Sequence, residues 1–144
     1  MPTATSGPAA PPVHASVHRV EVRPKAGMLD PKGAAVAHDA RGLGLSPTRV
    51  AASRVYLIEG VLDQAQLLRV RDSLLVDPVT EVGRIAERGA ARGARRDSGS
   101  AGSLAVEVHP LPGVMDPVAQ SVRDAIRDLV GAEVEVSTGW RYEI

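Results

Sequence analysis

The sequence predicts an α/β protein of the two-layer kind. It is an α+β sandwich whose mostly antiparallel sheet carries helices on one face, in two pseudo-symmetric units of which the second is truncated. Three observations predict it. The first is an internal repeat at an offset of 86 residues. Val20-Glu21-Val22-Arg23-Pro24-Lys25-Ala26-Gly27-Met28-Leu29-Asp30-Pro31 lies over Val106-Glu107-Val108-His109-Pro110-Leu111-Pro112-Gly113-Val114-Met115-Asp116-Pro117. The register then holds without a gap, placing Val36 on Val122, Arg41 on Arg127, Leu43 on Leu129, Val50 on Val136, Tyr56 on Tyr142 and Ile58 on Ile144. Of 39 aligned positions 13 are identical, where this Ala- and Val-rich composition gives about two or three by chance. The second observation is that each copy passes from a period of two to a helical period and back. The third is composition: 44% of residues are apolar but only 2% aromatic, with one Trp, two Tyr and no Phe, so the core is aliphatic.

The elements follow in order. Residues 1–16 are mostly Pro, Ala, Ser and Thr, without Lys, Arg, Asp or Glu. They bury too little apolar surface to offset the entropy of ordering and are expected to be a disordered tail. The first unit, 17–85, opens with a strand in which Val20 and Val22 alternate with Arg19, Glu21 and Arg23. A Pro- and Gly-containing turn leads to Asp30-Pro31, which starts a helix: Asp accepts from an orphan N–H, and Pro suits the first helical position. Val36, Ala40 and Leu43 form a weak stripe that stops at Gly42 or Gly44. A strand containing Val55, Tyr56, Leu57 and Ile58 is apolar on both faces, so one face calls for cover by a sheet or a subunit. A helix from Asp63 to Val76 begins with a capping-box pair, Asp63 and Gln66, and buries Leu67, Val70 and Leu74. Asp77-Pro78 ends it, and a short strand runs from Val79 to Ile85.

Residues 86–103 are rich in Arg, Gly and Ala without a large apolar side chain. Their second half is expected to be flexible linker and their first half a frayed helix. The second unit, 104–144, repeats the strand with Leu104, Val106 and Val108. Its helix carries a clearer stripe of Val118, Val122, Ile126 and Leu129. In its second strand Val134, Val136, Thr138, Trp140 and Tyr142 face one way. The sequence ends before a second helix and last strand, so it is expected to be the front of a longer polypeptide.

Composition excludes several chemistries. There is no Cys, hence no disulfide, thiolate metal site or Cys nucleophile, including the one that thiol-dependent glutamine hydrolysis needs. The four His residues form no i,i+4 pair and are given no role. No run approaches the roughly 18 apolar residues of a membrane helix, and the N-terminus lacks a secretory pattern. The 17 Lys and Arg balance 17 Asp and Glu. They divide unevenly: residues 17–85 carry 10 basic and 8 acidic groups (+2), residues 104–144 carry 3 and 7 (−4). Opposite charge favours contact between the units.

The most distinctive motif is Gly27-x-x-Asp30-Pro31-x-Gly33 and its echo Gly113-x-x-Asp116-Pro117. The two Asp residues could be an acid–base pair, but Asp-Pro before an amphipathic run reads first as a helix cap. Gly42-Leu43-Gly44 follows a helix and fails the dinucleotide context. The Arg-Gly run 88–96 has no interleaved aromatic, so it reads as solvated linker rather than a specific nucleic-acid site. Trp140 and Tyr142 share a strand face and are expected to be core or, with Val55 and Leu57, an interface. No set of residues constitutes an active site, and neither a cofactor site nor a metal site is expected in this chain.

The segment Val20-Glu21-Val22-Arg23-Pro24-Lys25-Ala26-Gly27-Met28-Leu29-Asp30-Pro31-Lys32-Gly33 resembles the opening of the PurS family, the small subunit of phosphoribosylformylglycinamidine synthase. The strand, the Pro-Gly turn and Asp-Pro-x-Gly carry the resemblance; the second copy departs from it with Ala119 in place of the last Gly. The resemblance implies a non-catalytic assembly component of the ATP- and glutamine-dependent ligase of de novo purine biosynthesis. It implies cytoplasmic partners, the synthetase PurL and the glutaminase PurQ, which use the ATP, Mg and glutamine. It also implies pairing as a dimer, here as a fused pseudo-dimer like the N-terminal domain of long single-chain synthetases. The alternative is a regulatory α/β dimerisation domain that senses a small molecule, an expectation from fold analogy.

Overall fold

The structure, a computed structural model, describes residues 15–86 and 103–144. In chain order these form β1 (Ser16–Pro24), α1 (Pro31–Gly42), β2 (Ala51–Gly60), α2 (Gln64–Val70) with a π-helical turn (Arg71–Leu75), and β3 (Glu81–Ala86). Then come β4 (Ala105–Val108), α3 (Pro117–Val130) and β5 (Val134–Glu143). The strands make one sheet in the order β3-β1-β2-β5-β4, with every neighbouring pair antiparallel. The architecture is a two-layer α+β one.

Register follows from the alternation of apolar side chains, since a one-residue slip would turn each strand's dry face outward. Val20 lies opposite Tyr56 in the β1–β2 pair, and Val106 opposite Tyr142 in the β4–β5 pair. Each residue of the second pair stands 86 positions after its counterpart in the first. The central pair, β2 and β5, sets Arg54 against Trp140, again 86 residues apart.

The helices lie on the face that carries Val20, Val22, Tyr56, Ile58 and Val134. These five pack with Leu67, Val70 and Leu75 from the α2 region and with Val122 and Ile126 of α3. Ile58, Ile126, Val20 and Val70 are fully buried. This core is built across the two sequence units, because α3 packs beside α2 and its π-helical turn. The Gln66 side chain also donates to the carbonyl of Val130, 3.4 Å away at the end of α3, satisfying one of its terminal acceptors.

Several boundaries and stripes differ from expectation. Ser16 belongs to β1 and Ala86 to β3, so the ordered unit extends one residue beyond 17–85 at each end. The rest of the expected linker up to residue 102, and most of the expected tail, lie outside the described residues. The third strand starts at Glu81, because the Asp77 side chain accepts from Val79 N and Thr80 Oγ1 and holds 78–80 in a turn. The helix from Asp63 keeps its capping box, but its end widens into the π-helical turn. The extra residue in that turn brings Leu75 into the core and leaves Leu74 only partly buried.

In α1 the buried residues are Gly33 and Ala37, while Leu43 is exposed. The helix start approaches the backbone at Val50 so closely that its small-residue side faces the sheet. In α3 Val118 is exposed and Ala119 takes its place beside Val122 and Ile126.

Candidate functional site

Both Asp-Pro motifs start helices and tie them to the sheet. Asp30 accepts from Gly33 N at 2.8 Å through Oδ1 and from Ala52 N at 2.8 Å through Oδ2. Asp116 accepts from Ala119 N at 2.9 Å, and from Thr138 N at 3.2 Å and Thr138 Oγ1 at 2.7 Å. Burial pushes the Asp116 carboxyl up, but the hydrogen bonds from Ala119, Thr138 and Val118 outweigh it and hold its pKa below the ordinary value. Each carboxylate spends both oxygens on the fold, so the caps are structural clasps. Gly27 and Gly113 give the preceding turns their left-handed backbone, at φ of 81° and 83°.

The face of the sheet away from the helices is a different surface. Arg19 and Glu21 on β1, Glu107 on β4 and Arg141 and Glu143 on β5 all project there, by alternation from the core positions. Arg19 pairs with Glu21 at 2.7 Å and reaches across β2 and β5 to both oxygens of Glu107. Arg141 also approaches Glu107 at 3.4 Å and Glu143 at 3.3 Å. His109 Nε2 lies 3.2 Å from Glu107 Oε2. Its ring lies over Gly139, where a Cβ would collide with Nδ1.

The hydrogen bond from Arg19 holds the Glu107 carboxyl down at about 2 from its ordinary 4.5, against the opposing effect of burial and with help from His109 and Arg141. The stabilisation is complete above about 4.5 and disappears as pH falls toward 2. The ion pairs are partly solvated, which reduces their worth to about 1 kcal/mol. Acid titration of stability should therefore flatten between pH 4.5 and 2 in Glu107→Gln, read by urea unfolding at each pH.

The structure separates the four expected interface residues. Val55 and Leu57 lie on the open face; Trp140 and Tyr142 lie on the helix face. Val55 is completely buried, in the central pair that the Arg19–Glu107 contact spans. Trp140 stacks under Lys32, whose Nζ sits 5.2 Å from the ring centroid. Tyr142 and Leu57 are half-buried. Sequence spacing does not single out Arg19, Glu107, His109 and Arg141. The one signal that bore on them was the opposite net charge of the two units.

Among the described residues no group of three or more His, Asp or Glu side chains is placed to hold a metal ion. No helix among them is long and apolar enough to cross a membrane. A small depression on the open face is lined by Glu21, Arg23, Ser53, Arg84 and Glu143, among others. Its charges are of both signs, which does not select one class of small molecule. What this arrangement offers chemically is a broad ion-paired surface over one continuous sheet.

Residues 17–87 match the family described as PurS: Phosphoribosylformylglycinamidine (FGAM) synthase. No curated protein and no solved structure matches the chain.

Proposed function

We propose that this chain is a PurS-family protein. In this reading it serves as a non-catalytic bridging component of phosphoribosylformylglycinamidine synthase, within the ATP- and glutamine-dependent step of purine biosynthesis. The family match over 17–87 is the observation that carries the reading. The chain has no Cys with which to release ammonia from glutamine. Its one Asp-Pro-x-Gly motif is consumed by helix capping. Its contribution to the reaction is surface: the open sheet face would lie against a synthetase or a glutaminase, PurL and PurQ in the family's terms, in the cytoplasm.

The proposal includes a doubling of the unit. Its support is that one shift of 86 residues relates two strand registers, two helix caps and the two sides of the β2–β5 pair. The chain would then be a pseudo-dimer, with β2 and β5 playing the part of two identical strands meeting at an approximate two-fold axis between Arg54 and Trp140.

The test is reconstitution. The chain, purified PurL and purified PurQ are mixed with ADP, Mg and glutamine and resolved by gel filtration. Glutamine-dependent ligase activity is measured in parallel. Co-elution of all three, with activity that requires this chain, is the expected result. Full activity without the chain, and elution of the chain by itself under every condition, would overturn the reading.

A further inference from the structure

Among the described residues β1 has a hydrogen-bonded neighbour on each side, β2 and β3, whereas β4, which stands 86 residues later, has only β5. In the first unit α2 and its π-helical turn place Leu67, Val70 and Leu75 in one cluster with Val20, Val22, Val122 and Ile126. β3 then pairs along Arg19–Pro24. Moving this surface by 86 residues gives Val106 and Val108 for Val20 and Val22, Val36 and Ala40 for Val122 and Ile126, and the edge 105–110. Val20 and Val22 are 0% and 2% exposed, but Val106 and Val108 are 39% and 55% exposed.

Among the described residues nothing guards this edge. Leu104 exchanges both backbone hydrogen bonds with Ile144. By alternation the N–H groups of Ala105, Glu107 and His109 point away from β5. Natural edges are commonly protected by a charge aimed at the intruding strand. The only charge on β4, Glu107, is instead drawn over the sheet to Arg19 and Arg141.

We propose that the free edge of β4, with Val106, Val108, Val36 and Ala40, is the docking site of a helix–strand segment with the chemistry of residues 63–86. Such a segment is a capped amphipathic helix with apolar residues at the positions of Leu67, Val70 and Leu75, followed by a strand antiparallel to 105–110. A bare strand would satisfy the edge amides and leave the two valines wet. Two β4 strands of four residues each, pairing between copies, would leave them wet as well. Only a helix carried with the strand covers both surfaces. The inference rests on the doubling proposed above and is independent of the enzyme partners.

Ile144 occupies the position of Ile58, so residues 59–86 appended directly after Ile144 continue the unit in register. The full chain is compared with this extended chain and with a second extension whose added segment carries Leu67→Asp and Val70→Asp. Amide exchange, thermal unfolding and light scattering are recorded. The extended chain is expected to be monomeric and to melt several degrees higher, with exchange at Ala105, Glu107 and His109 slowed at least tenfold. The Asp-bearing extension is expected to do neither. Unchanged exchange at those amides in the extended chain would overturn the proposal. So would a dimeric unextended chain in which they are already protected, because a second copy would then be the occupant. Co-elution with the synthetase components is read separately, so failure here leaves the family reading standing.

Discussion

Ile126→Ala is expected to lower the unfolding free energy by about 3–5 kcal/mol, the upper part of the range for truncating a buried aliphatic side chain. Ile126 is fully buried. Its neighbours in the core come from both sequence units: Val20, Val22 and Ile58 from the strands of the first, Leu67 and Val70 from α2, Val122 and Val134 from the second. The site has little means to collapse, because it is bounded by a helix with a π-helical turn and by strands held on both sides. The cavity therefore stays open, and its cost adds to the lost transfer energy. Urea unfolding followed by far-UV circular dichroism, with Trp140 fluorescence as a second probe, measures the loss. Because the core is shared, both probes should shift by the same amount. Separate transitions would mean that the two units fold as independent domains.

Gly33→Ala is expected to cost about 1–3 kcal/mol, the range for overpacking a well-packed site. A Cβ at Gly33 would lie 2.5 Å from the carbonyl oxygen of Val50 and 2.5 Å from Asp30 Oδ2. One of these is backbone and the other is the capping carboxylate, so relief requires either a shift of α1 or loss of the clasp to Ala52. The corresponding residue of the second unit is Ala119, buried at the same position of α3. Ala119→Gly is expected to cost only about 1 kcal/mol, from helix propensity. Thermal unfolding of the two variants tests the asymmetry. Equal effects would show that the close approach at Gly33 carries no stability.

Those two residues also show how far the sequence could be read. Asp-Pro before a helical stripe was legible at both places, because capping is local: donor, acceptor and Pro all lie within four residues. The second oxygen of each Asp was not legible. It bonds to a strand amide 22 residues away, and only the fold brings that amide near. The stripe of α3 was legible in Val122 and Ile126, whereas that of α1 was read one position off. Its packing is governed by the absence of a side chain at Gly33, which no hydrophobic pattern registers. A 3.6-residue period through Leu67 and Val70 points to Leu74, because it assumes an unbroken α-helix; the π-helical turn adds a residue and puts Leu75 in the core.

The open face was the least legible part. Val55 and Leu57, on a strand apolar on both faces, read as a surface in need of a partner. In the fold Val55 is fully buried within the chain, and the same face carries a contact between Arg19 and Glu107 that spans 88 residues of sequence and two intervening strands. His109, to which sequence spacing assigned nothing, enters the same network because Gly139 leaves room for its ring.

By itself the sequence determined most of the elements, their caps and turns, the identities at an offset of 86 residues and the lack of Cys. Each of these is written in local spacing, in self-comparison or in composition. The tertiary structure decided which strands meet, and so which side chains form one core across both units. It also decided where the charges gather and which edge, among the described residues, is left without a neighbour. Those outcomes depend on contacts between residues far apart in the chain, whose distances only the closed sheet sets.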